Sequence, residues 1–158
     1  MPVALRSCSD VHNFLLERGV AHEIVQLPAL SRTARHAAAL LGVPPHEVVR
    51  SVLVDTDAGP VVCLVPGDRR VDAAGLVAAL GCAAATPSAA TRVVAVTGYR
   101  PGALPPCGLD GDLPVVADPT VFEPPVVYCG GGATTTMLKI RSADLRAMLA
   151  PRVAAIAV

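Results

Sequence analysis

The stretch that decides the fold is VVRSVLVDTDAGPVVCLVP, Val48–Pro66. Two runs rich in β-branched residues, VVRSVLVD (Val48–Asp55) and PVVCLVP (Pro60–Pro66), flank the turn formers TDAG. That pattern predicts an antiparallel hairpin, which excludes an all-parallel sheet. Upstream, Ser9 or Asp10 can cap a helix running to about Arg18, with Gly19 as its stop. HEIVQL (His22–Leu27) reads as a strand, and Ser31 or Thr33 opens a second helix closed by Gly42. Downstream, Asp72 caps a helix ending at Gly81, and Ser88 caps a short fourth one. A loop dense in Gly and Pro follows, Thr97–Pro114. PVVAD, VVYC and TTMLKI then read as strands, Ser142 caps a last helix, and RVAAIAV closes as a strand. Helices mixed with hairpins give an α+β class, with a mixed, curled and barrel-like central sheet flanked by helices, in a single domain over residues 1–158.

Composition narrows the possibilities. Hydrophobic residues make up 53% of the 158 and charged residues 16%, which excludes a disordered chain. Aromatics are 3% and Trp is absent, so Val, Leu and Ala must build the core. Thirteen basic and thirteen acidic residues cancel, so no net field draws the chain to nucleic acid, and any RNA contact must be a local patch. The five cysteines are odd in number and form no C-x-x-C pair, which favours reduced thiols buried as small hydrophobes. MPVALRSCSD lacks the apolar stretch of a leader, and the uncharged Ala73–Thr91 is broken by Gly75, Gly81 and Pro87. The expectation is a cytoplasmic protein with no membrane partner.

Conventional chemistry is missing from the motifs. His12, His22, His36 and His46 fall in no zinc spacing, so no metal site is expected. There is no G-x-S-x-G elbow and no phosphate-binding Walker loop. Three features stand out. Arg50 interrupts an apolar strand, sharing its face with Val48 and Val52, and must emerge somewhere polar, such as a sheet edge or a site. G-x-x-x-P at Gly102–Pro106 can present backbone N–H groups to a carbonyl that becomes an oxyanion, or can be a plain surface loop. Gly130-Gly131-Gly132 can form an anion-holding nest or a simple hairpin turn. Arg32, Arg35, Arg69 and Arg70 can form a local basic patch, although a solvated face explains them equally simply.

Taken in order, six segments resemble the YbaK/ProX family, which is also the editing insertion of bacterial prolyl-tRNA synthetases. They are AAALLGVPPHEVVRSVLV (Ala37–Val54), LVPGDRRVD (Leu64–Asp72), TGYRPGALPP (Thr97–Pro106), PVVAD (Pro114–Asp118), VVYCGGG (Val126–Gly132) and SADLRAML (Ser142–Leu149). The resemblance implies hydrolysis of the ester joining a wrong amino acid, Ala or Cys on tRNA-Pro among known members, to the terminal adenosine of a tRNA. It implies no metal or organic cofactor, with the tRNA 3′ end and an aminoacyl-tRNA synthetase as partners. It places Arg50, Gly102 and Ala103 at the chemistry, and Thr33, His36, Ser51, Thr97, Tyr99, Pro106, Gly130, Gly131 and Gly132 around the substrate. Family precedent lets the substrate's own groups serve as the base. Two departures accompany it. The family typically carries Lys at position 50, whereas here Lys139 is the one lysine among thirteen basic residues. The turn after Gly132 reads Ala133-Thr134-Thr135, without the basic residue and further Gly found there. A non-catalytic module that holds a tRNA end or an aminoacyl ligand is the alternative function.

Overall fold

The computed structural model describes residues 5–158 of the chain; residues 1–4, part of the stretch read as lacking a leader, lie outside the described residues. The expected hairpin is present, running from Val49 opposite Pro66 to Thr56 opposite Gly59. In chain order the elements are α1 (Cys8–Glu17), β1 (Glu23–Gln26), α2 (Ala34–Leu41), β2 (Val48–Thr56), β3 (Gly59–Pro66), α3 (Ala73–Leu80), β4 (Ala85–Pro87), α4 (Ala90–Thr97), β5 (Val115–Ala117), β6 (Val126–Gly130), β7 (Thr136–Arg141), α5 (Ser142–Leu149) and β8 (Arg152–Val153). Short 3₁₀ turns cover Pro45–Glu47, Pro101–Ala103 and Pro119–Phe122. One mixed sheet has the order β1-β7-β6-β2-β3-β5-β8, with β4 also paired to β2. The β2–β6, β3–β5 and β5–β8 pairs are parallel and the others antiparallel. The α+β expectation therefore holds.

Local chemistry explains the element ends, with some shifts from expectation. Ser7 rather than Ser9 or Asp10 caps α1, and its backbone N–H donates back to the Asp10 carboxylate in a capping box. Thr33 caps α2 by accepting from the His36 amide, and left-handed Gly42 closes it. Ser142 does not cap α5. It is the first helical residue, Arg141 holds the cap position, and the Ser142 hydroxyl faces the Phe122 and Pro125 carbonyls. Ala89, not Ser88, precedes α4, and the three-residue β4 before it was not expected. Among the described residues, RVAAIAV forms strand pairs at Arg152–Val153 and a bridge between Ala157 and Val71.

Alternation along β2 divides the core. Val49 and Leu53 face the main cluster, with Val11 and Leu15 of α1, Tyr99 and Leu145 of α5. On the opposite face, Val48 packs beneath α2 with Ala37 and Ala38, while Val54 packs beneath α3 with Leu76. Arg50 emerges on that second face, between the two smaller clusters. Cys63, Cys107 and Cys129 are buried, and burial pushes their thiols up, to about 12 for Cys63 and Cys107. They are inert core residues.

Asp118 ties the C-terminal segment down. It is 3% exposed and accepts from the Ile156 and Ala157 amides at 3.0 and 2.9 Å, and from the Thr120 amide and hydroxyl. Burial pushes its carboxyl up, but these four donors outweigh burial and hold it below its ordinary value. Asp118→Ala leaves three backbone N–H groups, those of Thr120, Ile156 and Ala157, without this acceptor, so we expect a loss of about 2–4 kcal/mol by urea unfolding. Asp118→Asn keeps one carbonyl acceptor and should lose less. The carboxylate's contribution is present above its unfolded-state value near 3.8 and fades as pH falls through the lower folded value.

Candidate functional site

The site begins as a gap in the sheet. On the side of β2 away from β3, β6 pairs only Val48 and Val49, and β4 pairs only Val54 to Thr56. Residues 50–53 are left without a strand neighbour on that side. In the antiparallel β2–β3 ladder, alternate residues turn their backbone groups toward and away from the partner. The Leu53 carbonyl, which accepts from the Ser88 amide at 3.0 Å, identifies the outward set. By the same alternation the Ser51 N–H and C=O and the Leu53 N–H face the gap, where no strand pairs residues 50–53. β2 is central overall, so Arg50 is not on an edge strand; it stands where a central strand is locally open.

A cleft of about 770 Å³ opens over this gap. Its wall includes Arg32 and Arg35 from the start of α2, Arg50 from β2, and Arg69 and Arg70 from the turn after β3. Among the described residues, Asp68 is its one acidic side chain, and no imidazole lines it. Five guanidiniums against one acidic side chain leave a side-chain charge of plus four on one concave surface of a chain whose side chains sum to zero. The two ion pairs among the described residues, Arg6–Asp110 and Arg92–Asp55, use none of the five. Arg50 is half-buried and steadied by donating to the Arg69 carbonyl at 2.8 Å. Unpaired guanidiniums converging on one cleft are an anion site, because each fork can hold phosphate oxygens in pairs.

The opposite wall is built by two loops locked together. Pro101, Gly102 and Leu104 reach the cleft from the G-x-x-x-P loop, and Gly130 reaches it from the glycine turn. The Gly132 amide donates to the Ala103 carbonyl at 3.0 Å, and Gly132 needs its positive φ of 92°. A Cβ on Gly130 would run into the Leu104 carbonyl. A Cβ on Gly131 would stand 2.7 Å from the Thr136 backbone. The triple glycine is thus a close-packing joint, and it does not form an open anion nest.

The sequence-predicted residues divide accordingly. Thr33, Arg50, Ser51, Gly102 and Gly130 line the cleft. His36 is exposed on α2 outside its wall, and Gly131 and Gly132 are buried in the joint. Thr97, Tyr99 and Pro106 are corrected to scaffold. The Thr97 hydroxyl donates to the Val93 carbonyl at 2.7 Å, and the Tyr99 hydroxyl donates to the Gly108 carbonyl at 2.8 Å. Both residues are fully buried, and burial, followed by the Asp10 charge, raises the Tyr99 phenol. Ala103 is corrected as an oxyanion donor, because its amide already donates to the Arg100 carbonyl at 3.0 Å. The Gly102 amide makes no such bond among the described residues. Arg69 and Arg70, read from the sequence with Arg32 and Arg35 as a basic patch or a solvated face, join the wall, and Ser88 and Thr134 join it unanticipated. Among the described residues, no three His, Cys, Asp or Glu gather where a metal ion could sit, and no helix is long and apolar enough to cross a membrane.

Residues 29–148 match the family described as the aminoacyl-tRNA editing domain. The proline–tRNA ligase of Geobacter sp. (strain M21) is 34% identical over 108 residues, which is 68% of this chain and 19% of the ligase. That of Desulforamulus reducens is 36% identical over 91 residues, 58% of this chain and 16% of the ligase. The chain thus spans about a fifth of the length of these curated relatives. Among solved structures, hypothetical protein APE2540 superimposes with a TM-score of 0.89 at 29% identity, covering 94% of this chain and 99% of its own. A structure provisionally assigned as a trans-editing enzyme for prolyl tRNA synthetase gives 0.87 at 27% identity, covering 94% and 95%.

Proposed function

The chain belongs to the aminoacyl-tRNA editing domain family, and from that premise we propose that it is a free-acting deacylase of mischarged tRNA. The observation that carries the proposal is the cleft of five unpaired arginines beside the Gly102 loop. A tRNA 3′ end brings phosphates and an ester carbonyl together, and this cleft offers cations and backbone donors side by side. Arg32, Arg35, Arg69 and Arg70 hold phosphates along the cleft rim. Arg50, anchored on Arg69, holds the phosphate or ribose nearest the ester. The Gly102 N–H meets the carbonyl oxygen as charge develops on it.

Water attacks the ester carbon, the bond from that carbon to the ribose oxygen breaks, and the adenosine hydroxyl leaves with a proton. Arg50 stays protonated and serves no base role. With no imidazole in the wall, the proton passes through the water and the substrate's own ribose hydroxyl. An activated ester needs positioning and oxyanion stabilisation more than a strong base. The amino acid removed is small, such as Ala or Cys on tRNA-Pro. The reaction needs no metal, occurs in the cytoplasm, and can follow release of the tRNA from an aminoacyl-tRNA synthetase.

The test is release of labelled amino acid from a panel of mischarged tRNAs at several salt concentrations. Four arginines on a single-stranded end should make log apparent affinity fall with log salt at a slope of about −3. Absence of release from every tRNA would reject the deacylase. tRNA-induced thermal stabilisation without cleavage would indicate a binding module instead.

A further inference from the structure

The gap edge of β2 contains more hydrogen-bonding capacity than phosphate binding uses. The Ser51 Oγ and Ser88 Oγ are both buried and have no hydrogen-bond partner. Both residues line the cleft. A buried hydroxyl left unpaired is destabilising, so two at one place need a reason. Continuing the β2–β4 register one step past Val54–Pro87 sets Ser88 opposite Leu53, consistent with its amide bonding the Leu53 carbonyl. Ser51 lies two residues along β2 from Leu53, on the same face. Ser51 and Ser88 are then diagonal neighbours, a relation that sets residues about 7–8 Å apart with their Cβ atoms somewhat closer. Two O–H···O bonds of about 2.7–2.8 Å each span about 5.5 Å, so one hydroxyl fits between them. A change of χ1 between staggered wells turns each serine hydroxyl toward the cleft. Ser88 also leans toward Asp55 without reaching hydrogen-bond geometry, so Ser51 is the better placed of the two.

The surroundings fit the rest of an aminoacyl group. The Ser51 carbonyl, facing the gap, can accept from an α-ammonium, and the Ser51 and Leu53 N–H groups can donate to an acyl oxygen. Leu53, Val93 and Leu104 also line the cleft and are nearly fully buried, which gives this part of it an apolar floor.

We infer that residues 51–53 and Ser88 form the aminoacyl subsite, and that it selects a small side chain bearing a hydroxyl, serine before alanine. The inference rests on the deacylase reading and narrows the small residues it admits. The acyl group lies along β2 like one residue of a missing strand, and its hydroxyl completes the two orphaned serines. A site built to hydrogen-bond a substrate hydroxyl rejects the analogue lacking it far more strongly than a cavity rejects a methylene.

The experiment compares Ser-, Cys- and Ala-charged tRNA-Pro with wild type, Ser51→Ala and Ser88→Ala. Its second arm measures binding of 3′-amide-linked seryl- and alanyl-adenosine, which cannot be hydrolysed. Wild type should remove Ser at least ~10-fold faster than Ala and bind the seryl amide more tightly, by about the strength of one or two hydrogen bonds. Ser51→Ala should bring the Ser-to-Ala rate ratio close to one by slowing Ser more than Ala, and Ser88→Ala should reduce that ratio. Equal handling of Ser and Ala by wild type, or equal slowing of both substrates by Ser51→Ala, would overturn the subsite. If no ester is cleaved yet the seryl amide binds preferentially and Ser51→Ala removes that preference, the deacylase reading fails and the subsite stands. If neither amide binds, the subsite fails whatever the deacylation result.

Discussion

Arg50→Ala is expected to lower kcat/KM for deacylation about 30- to 150-fold, a loss of about 2–3 kcal/mol, while the protein stays folded. The magnitude follows from removing one charge-assisted contact close to the reacting ester. The fold should tolerate the change. Arg50 has no ion pair, and truncation frees one carbonyl acceptor, that of Arg69, at a cleft open to water. A melting temperature within about 4 °C of wild type is expected for a loss near 1 kcal/mol. Arg50→Lys restores a cation at the family's usual residue but not the planar fork. Recovery to within about tenfold of wild type would show that position 50 works mainly as a charge. Arg69→Ala and Arg70→Ala should instead raise KM and flatten the salt dependence by roughly one phosphate each. Arg50→Ala should lower kcat as well, because its phosphate or ribose contact sets the ester against Gly102. If Arg32→Ala and Arg50→Ala cost the same and act only on KM, Arg50 has no distinct position in the cleft and merely adds to its potential.

The sequence made the hairpin legible because its signals are local. Two β-branched runs around TDAG specify Val48–Pro66 without help from the rest of the chain. Thr33 and Gly42 likewise delimit α2 by their own backbone chemistry. The cleft was not legible in the same way, because it is defined by a pairing that stops. β6 releases β2 after Val49, and β4 takes it up again at Val54. β4 is three residues ending in Pro87, too short and too weakly patterned to be read as a strand. Arg50 could be identified as a misfit in an apolar strand, but whether it met an edge or a site depended on that long-range gap.

The arginine cluster shows the same limit. Its members come from the start of α2, from β2 and from the turn after β3, and only the β2–β3 hairpin and the α2–β2 packing bring them onto one wall. Four of the five could be named as a patch from the sequence, but a neutral total charge could not decide between a patch and a solvated face, nor join Arg50 to them. Thr97 and Tyr99 erred in the opposite direction. Their segment resembles the family's site loop, but their hydroxyls turn inward to brace it, and a motif match cannot distinguish a residue that shapes a loop from one that the loop presents.

Glycine substitutions separate those two roles, and Gly130→Ala should be the more damaging. Its Cβ meets the carbonyl oxygen and carbon of Leu104 and, at 3.3 Å, the Ala103 carbonyl oxygen. All three are backbone atoms, so no side chain can swing aside. Relief requires the glycine turn and the G-x-x-x-P loop to part, which also strains the Gly132–Ala103 hydrogen bond. Overpacking of this kind costs about 3 kcal/mol, a fall of roughly 6–12 °C in Tm for a chain of this size. Deacylation should be lost with it, because Gly102 moves with the loop. Gly102→Ala provides the contrast. Its Cβ would stand 3.7 Å from the nearest atom, the Arg32 Cα, an ordinary contact, and its φ is not in the left-handed region. The fold should therefore be unaffected, with Tm within about 2 °C of wild type. Activity should nonetheless fall at least ~10-fold, because a methyl group then occupies the space where the ester carbonyl approaches the Gly102 amide. Full activity in a stable Gly102→Ala protein would move the oxyanion donor away from Gly102. The outward-facing amides of Ser51 and Leu53 would then be the remaining candidates, on the side of the cleft where the orphaned serines lie.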